Sequence, residues 1–360
     1  MMSGFMRTSY SERDVTVLLK DITGMVEPQS TAEREKKIQS GTHYCEMLPV
    51  EYRPTEKYME IYRYALEKYA PKTAAAVSVC AEKLYSETGG DTVLVSLARA
   101  GTPAGILIKR YLDKKYAADI PHYTISIIRG RGIDKNAMSH ILSRHRPWQL
   151  RFVDGWTGKG AILTQLEAAL SAPEYDGIDK RLAVLSDPAY ITALCGTHED
   201  FLIPSSCLNS TVSGLISRTF LRPDIIGEND FHGAVYYEEL SAADRSYEFI
   251  NAVEKHFDFN ASAEKDTSIL GREYAGAKEI SDIGKRFGIE NINLIKPGIG
   301  ETTRVLLRRV PYKILAADPS DTDSLAHILR LAEEKGVEVC KYPLKSYKAC
   351  GLIKNVAADI

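Results

Sequence analysis

Between residues 92 and 187 the chain alternates short, wholly apolar runs with longer runs of helical spacing. "TVLVSLA" (92–98) has the length and uniform apolarity of a buried strand, "RAGTP" (99–103) reads as a turn, and "AGILIKRYL" (104–112) carries an amphipathic helix. The strand "HYTISII" (122–128) and the basic turn "RGRGIDKN" (129–136) follow. "LRFVD" (150–154) and "RLAVLSD" (181–187) supply two more strands, each closing on an aspartate. Between them, residues 161–170 place Ile162, Leu163, Leu166 and Leu170 on one helical side. This order predicts an α/β fold: a doubly wound parallel sheet with crossover helices, extending to about residue 195.

The flanks read differently. Ser11 with Asp14 and Ser30 with Glu33 have the spacing of helix-starting caps. "DITGMVEPQS" and "SGTHYCEMLPVEYRP" are loop-like, and 57–86 is a helical stretch that Pro71 should break. Residues 195–245 have no clean period yet are dense in Ser, Thr, His and Asp. From residue 290 a second alternating unit begins: a strand "NINLIKP", a helix over 302–309, a strand "YKILAAD", a helix over 323–335 and a strand "VEVCKYP". The expected organisation is a helical and loop segment over the crevice (1–60), a core (61–257) with a hood (195–257), a polar linker and helix (258–289), and a smaller α/β domain (290–360).

Composition narrows the class. The 360 residues, 44% hydrophobic and 26% charged, suit a globular protein with a large core. A net charge of −2 argues against a protein that coats nucleic acid over its whole surface. No apolar run reaches the roughly 20 residues of a membrane span, and "MMSGFMRTSYSERD" lacks a signal core, so a cytoplasmic, membrane-free protein is expected. Six scattered cysteines without a CxxC pair point to reduced thiols.

The densest chemistry lies at the strand-to-helix junction "VDGWTGKGA". A glycine-rich loop there turns backbone N–H groups toward the positive end of a helix dipole, an arrangement that holds phosphate. In open parallel sheets the ligand crevice lies off the carboxyl ends of the strands, where Asp154 and the Arg99–Ala100–Gly101 turn also fall. The plainer alternative is that the glycines only permit close helix–strand packing.

With Asp154, Gly155, Trp156, Thr157, Gly158, Lys159 and Gly160 at one strand end and Arg99, Ala100 and Gly101 at another, the chain resembles type I phosphoribosyltransferases. The resemblance implies that 5-phosphoribosyl-1-pyrophosphate binds here, with Asp154 on ribose, residues 155–160 on the 5′-phosphate, and Arg99, Ala100 and Gly101 on pyrophosphate. It also implies Arg131 in a mobile basic lid and Mg²⁺ carried by the substrate without dedicated protein ligands. His43, Asp230 and His232 are assigned to the acceptor. Gly155 departs from the family, which has a second acid at that place. "GIGETTRVLLRRVPYKILAADPSD" (298–321) is similar to the Pelota-type RNA-binding fold, implying that Gly298, Glu301, Thr303 and Arg304 meet structured RNA. There Gly300 replaces the family's Asn.

The combination resembles a bacterial family that accompanies tellurite-resistance and stress operons, whose members are labelled either phosphoribosyltransferase or cysteine protease StiP. A transferase is the main expectation. The rival is a cysteine hydrolase with Cys45 or Cys207 as nucleophile and His43, His198 or His232 as base. A third possibility is a non-enzymatic nucleotide or RNA sensor.

Overall fold

The computed structural model describes residues 5–263 and 267–354. The N-terminal segment contributes β1 (Thr16–Val17), β2 (Lys20–Asp21) and α1 (Thr31–Gln39), and α2 (Glu56–Thr88) follows. The core then runs β3 (Val93–Leu97), α3 (Gly101–Tyr116), β4 (His122–Ile125), the hairpin β5 (Ile127–Ile128) and β6 (Gly132–Ile133), and α4 (Lys135–Leu142). It continues through β7 (Leu150–Trp156), α5 (Ala161–Ala169), β8 (Leu182–Ser186) and β9 (Cys195–Thr197). The hood holds short turns, β10 (Gly233–Ala234) and α6 (Ser246–Glu254). Beyond it lie α7 (Ala275–Phe287), β11 (Ile295–Pro297), α8 (Ile299–Arg308), β12 (Pro311–Ala316), α9 (Thr322–Glu334), β13 (Val339–Lys341) and β14 (Ala349–Ile353).

The expected parallel core is present. Six strands in the order β1-β4-β3-β7-β8-β9 pair in parallel throughout. The wholly buried β3 and β8 explain the uninterrupted apolar runs, since each has neighbours on both faces. One face packs against α2, α3 and α6, the other against α4 and α5. The winding reverses between β3 and β7, so the switch point lies beside Arg99, just past the end of β3, and Asp154, near the end of β7. Gly101 is required there by packing: a Cβ would overlap the carbonyl oxygen of Val153. Among the described residues no helix is long and apolar enough to cross a membrane.

Three local expectations need correction. Ser30 and Glu33 do form a reciprocal cap on α1, but no helix starts at Ser11, because the Asp14 carboxylate is taken by Arg110 at 2.7 and 2.8 Å. Pro71 sits inside α2 without ending it. In the C-terminal domain the sheet order is β11-β14-β12-β13, with β14 antiparallel to both its neighbours. The last strand, unread in the sequence, therefore lies inside the sheet.

Candidate functional site

The N-terminal segment brings one thiol and one imidazole together. Residues 44–46 form a single 3-10 turn for which His43 is the N-cap, its Nδ1 accepting the Cys45 backbone N–H at 3.4 Å. The same ring nitrogen lies 3.0 Å from Cys45 Sγ. Because Nδ1 accepts the amide proton, the ring's own proton belongs on Nε2, leaving Nδ1 able to accept from the thiol. Arg131 and Arg218 act on this pair: burial pushes the Cys45 thiol up, and both guanidiniums pull against it. Burial, then Arg131, holds His43 below its ordinary value, so the resting pair is neutral. Cys45 is fully covered, and Leu221 donates its N–H to the Cys45 carbonyl at 2.9 Å. Leu221 and Arg131 also line an open cleft of about 480 Å³ together with Asp134, Asp230 and His232.

A second pair lies at the other end of the sheet. His198 Nε2 is 3.5 Å from Cys195 Sγ, and its Nδ1 is 2.7 Å from the Asp187 carbonyl and 3.3 Å from Asp187 Oδ2. Asp187 is held in turn by the Thr157 hydroxyl and by the Ile191 and Thr192 amides. Burial disfavours charge on His198, but hydrogen bonds to Asp187 and Cys195 outweigh it and carry the imidazole up to about 10. The Cys195 sulfur also lies 3.9 Å from Nδ1, so thiol, imidazole and acid are gathered around one ring, the three residue types of a nucleophile–base–acid relay. The ligand atoms of Asp187, Cys195 and His198 all lie within 4.8 Å of one another, so the same three residues could hold a metal ion.

Cys207, the other thiol proposed from sequence, is buried in the main hydrophobic cluster, and burial pushes it up to about 12. Its carbonyl accepts from Arg308 at 2.7 Å. This environment corrects its assignment as a nucleophile: it is an inert core thiol.

The glycine loop makes internal contacts. Thr157 N–H bonds to the Ser186 carbonyl at 3.0 Å, and its hydroxyl donates to Asp187. Tyr347 donates its hydroxyl to the Gly158 carbonyl at 2.6 Å, and Lys159 Nζ caps the Ile292 and Ile295 carbonyls at 2.6 and 3.2 Å. Burial, then Lys296, lowers Lys159 to about 8. Gly160 has φ +82° and starts α5, the one glycine of the loop in the left-handed region. Asp154 accepts its neighbour's amide at 2.7 Å and is pushed by burial up to about 7. The loop is thus where the C-terminal domain docks.

The other named residues also have internal partners. Arg99 reaches the Ile216 carbonyl at 3.2 Å and Glu51 at 3.8 Å, and Arg131 pairs with Glu46 at 2.8 Å. Asp230 pairs with Lys20 at 2.6 Å, while His232 contacts Ser126 Oγ at 2.8 Å and gives its backbone N–H to Asp134. At the start of α8, Asp200 from the core accepts the Ile299 amide at 2.9 Å and the Lys348 amide at 2.8 Å. Gly298 lies against the same carboxylate. Thr303 is buried against His327, and Glu301 pairs with Arg304 at 3.2 Å. The helix end assigned to RNA from sequence is therefore capped by a carboxylate of the core.

Fold and site together define a two-unit α/β protein: a doubly wound core with two separate thiol–imidazole pairs, and a small mixed-sheet domain docked on the glycine loop. Residues 8–254 match the family described as "Tellurite-like stress resistance cysteine protease StiP", and the chain belongs to that family. Residues 274–355 match the PELOTA RNA binding domain. The "Cysteine protease StiP" of Acinetobacter baylyi is 36% identical over 364 residues, a match covering 97% of this chain and 94% of the relative. No solved structure matches the chain. These matches overturn the main expectation of a phosphoribosyltransferase using 5-phosphoribosyl-1-pyrophosphate: family and relative are named for cysteine proteolysis. The contacts of Gly158 and Lys159 agree with that correction, because the loop read as a phosphate cradle is engaged by Tyr347 and by the 292–295 carbonyls.

Proposed function

We propose that the protein is a cysteine peptidase in which Cys45 is the nucleophile and His43 its base. The observation that carries this reading is the 3.0 Å contact between Sγ and Nδ1, made beside two arginines and the wall of an open cleft. In the first step the thiol proton passes to His43 Nδ1 while Sγ attacks the peptide carbonyl carbon. Arg131 and Arg218 favour the thiolate as it forms. His43 then returns the proton to the leaving amine, and water hydrolyses the thioester, restoring the thiol. Because His43 Nε2 faces Gly130 of the β5–β6 turn, displacement of that turn and of Leu221 is the route by which a substrate reaches the covered sulfur.

Cys195 is the second reading, favoured by the acid that orients its histidine. The two separate cleanly. Cys45→Ser, Cys195→Ser and Cys207→Ser variants are assayed on a denatured protein substrate, with alkylation mapped by mass spectrometry. Loss of hydrolysis in Cys45→Ser alone supports the reading. Hydrolysis that survives Cys45→Ser and disappears in Cys195→Ser replaces it with the second.

A further inference from the structure

Arg218 lies against the residue that precedes the proposed nucleophile: its Nη2 donates to the Tyr44 carbonyl at 2.5 Å, and its guanidinium sits 4.8 Å from the Tyr44 ring centre. Arg308, from α8, donates to the Asn209 side chain and the Cys207 carbonyl and sits 5.6 Å from the Tyr58 ring. Arg99 leaves β3 at the switch point, and both of the others feel its charge. Among the described residues neither Arg218 nor Arg308 has a carboxylate within ion-pairing distance. Glu51 lies 3.8 Å from Arg99, with its other oxygen accepting from Ser210. Of the three half-buried guanidiniums Arg99 alone is paired with a carboxylate, while Arg218 and Arg308 are faced by tyrosine rings and carbonyls. Burial, then Arg34, lowers Arg218 to about 10, and burial, then Arg304, lowers Arg308 to about 10, with Arg99 a smaller cause in both. A row of three cations withdrawn from water with a single carboxylate beside it is costly unless a further anion completes it.

We infer that the row formed by Arg218, Arg99 and Arg308 is a subsite for acidic side chains of a peptide substrate, beginning next to Cys45. This rests on the peptidase reading for what is cleaved, though not for what is bound. A planar guanidinium takes a carboxylate through two parallel N–H donors, which suits aspartate or glutamate side chains entering singly. The row lies between the N-terminal segment, the hood and α8, so an extended peptide fits its setting better than a nucleic acid duplex, which needs an open basic face.

The test uses the full chain carrying Cys45→Ser, so that binding is read without turnover. Fluorescein-labelled peptides identical except for Glu or Gln at four positions, and a single-stranded oligonucleotide of equal charge, are titrated by anisotropy at several salt concentrations. The Glu peptide should bind about tenfold or more tightly than its Gln twin at low salt, and the difference should shrink as salt screens it. Adding Arg218→Gln and Arg308→Gln should bring the Glu peptide to the level of the Gln peptide, whereas Arg286→Gln should not. Should the double variant fold poorly, Arg218→Lys and Arg308→Lys keep the charge but lose the paired donors, and weaker Glu-peptide binding in these folded variants supports the inference. Equal binding of the two peptides, preferential binding of the oligonucleotide, or Glu affinity unchanged in the arginine variants overturns it. A Glu preference with no hydrolysis by the unmodified protein leaves the subsite standing and removes the peptidase reading.

Discussion

Replacing Asp200 by alanine should loosen the C-terminal domain, and the penalty should depend on pH. Asp200 is 6% exposed and bonds the Ile299 amide through both oxygens, at 2.9 and 3.2 Å, and the Lys348 amide at 2.8 Å. Truncation leaves two buried N–H groups without acceptors, at about 2 kcal/mol each, or about 4 kcal/mol together. The opposing contribution is the carboxylate's own desolvation. Burial outweighs the amide donors and raises Asp200 from 3.8 to about 6. That difference corresponds to about 3 kcal/mol of resistance to ionisation in the native state. A raised acid holds more protons when folded, so its stabilising contribution is complete below pH 3.8 and is lost as pH rises through 6. The Ala variant has no such slope. Its deficit should be about 4 kcal/mol near pH 4 and shrink to about 1 kcal/mol above pH 7. Urea denaturation at both pH values measures this, with Trp156, which lines the crevice between the two units, as the fluorescent reporter. Hydrogen exchange at Ile299 and Lys348 reports the interface itself. An equal deficit at both pH values, or full protection of those amides in the variant, would refute the argument.

Two further outcomes are expected. With His43 lowered from 6.5 and Cys45 raised from 9.0, the active neutral pair should span a kcat/KM plateau that starts below pH 6.5 and ends above pH 9.0; a profile whose acid limb is unchanged by His43→Gln counts against His43. Gly101→Ala should destabilise the core by about 1–3 kcal/mol through overlap with the Val153 carbonyl, while Gly158→Ala, with open space at its Cβ and an ordinary φ, should stay within about 0.5 kcal/mol by thermal denaturation.

The parallel core was legible because β3, β7 and β8 are buried on both faces and bounded by turns, a pattern that only a covered parallel sheet requires. The helix α8 starts three residues before the spacing predicts, since "GIGE" lacks a side-chain cap; its cap is Asp200, 99 residues away in the chain. The glycine junction is legible as a junction, but its role is not, for a similar reason: the partners Tyr347 and Ile292 arrive from a separate domain. His43 and Cys45 were both noted, yet a His-x-Cys spacing carries no weight until a 3-10 turn folds the ring back onto the sulfur. Asp187 stood at a strand end, and "CGTH" supplies a Cys-x-x-His signal that could have joined it. No periodicity marked that segment, because β9 is only three residues long and the hood beyond it is built from single turns.

The docking of the two units constrains any ligand of either one. In a free helix the first amides are unsatisfied and attract phosphate, but in α8 the Ile299 amide already has a carboxylate with the same charge preference. A phosphate seeking that helix end must therefore displace Asp200, which also releases Lys348. Displacement would act on the core as well, because Arg308 at the far end of α8 holds the Cys207 carbonyl and the Asn209 side chain in the hood. The row of arginines beside Cys45 includes a residue from each of the core, the hood and α8, so its spacing depends on the same interface. A ligand that displaced Asp200 would therefore act on a helix held to the core at its start, by Asp200, and to the hood at its end, by Arg308.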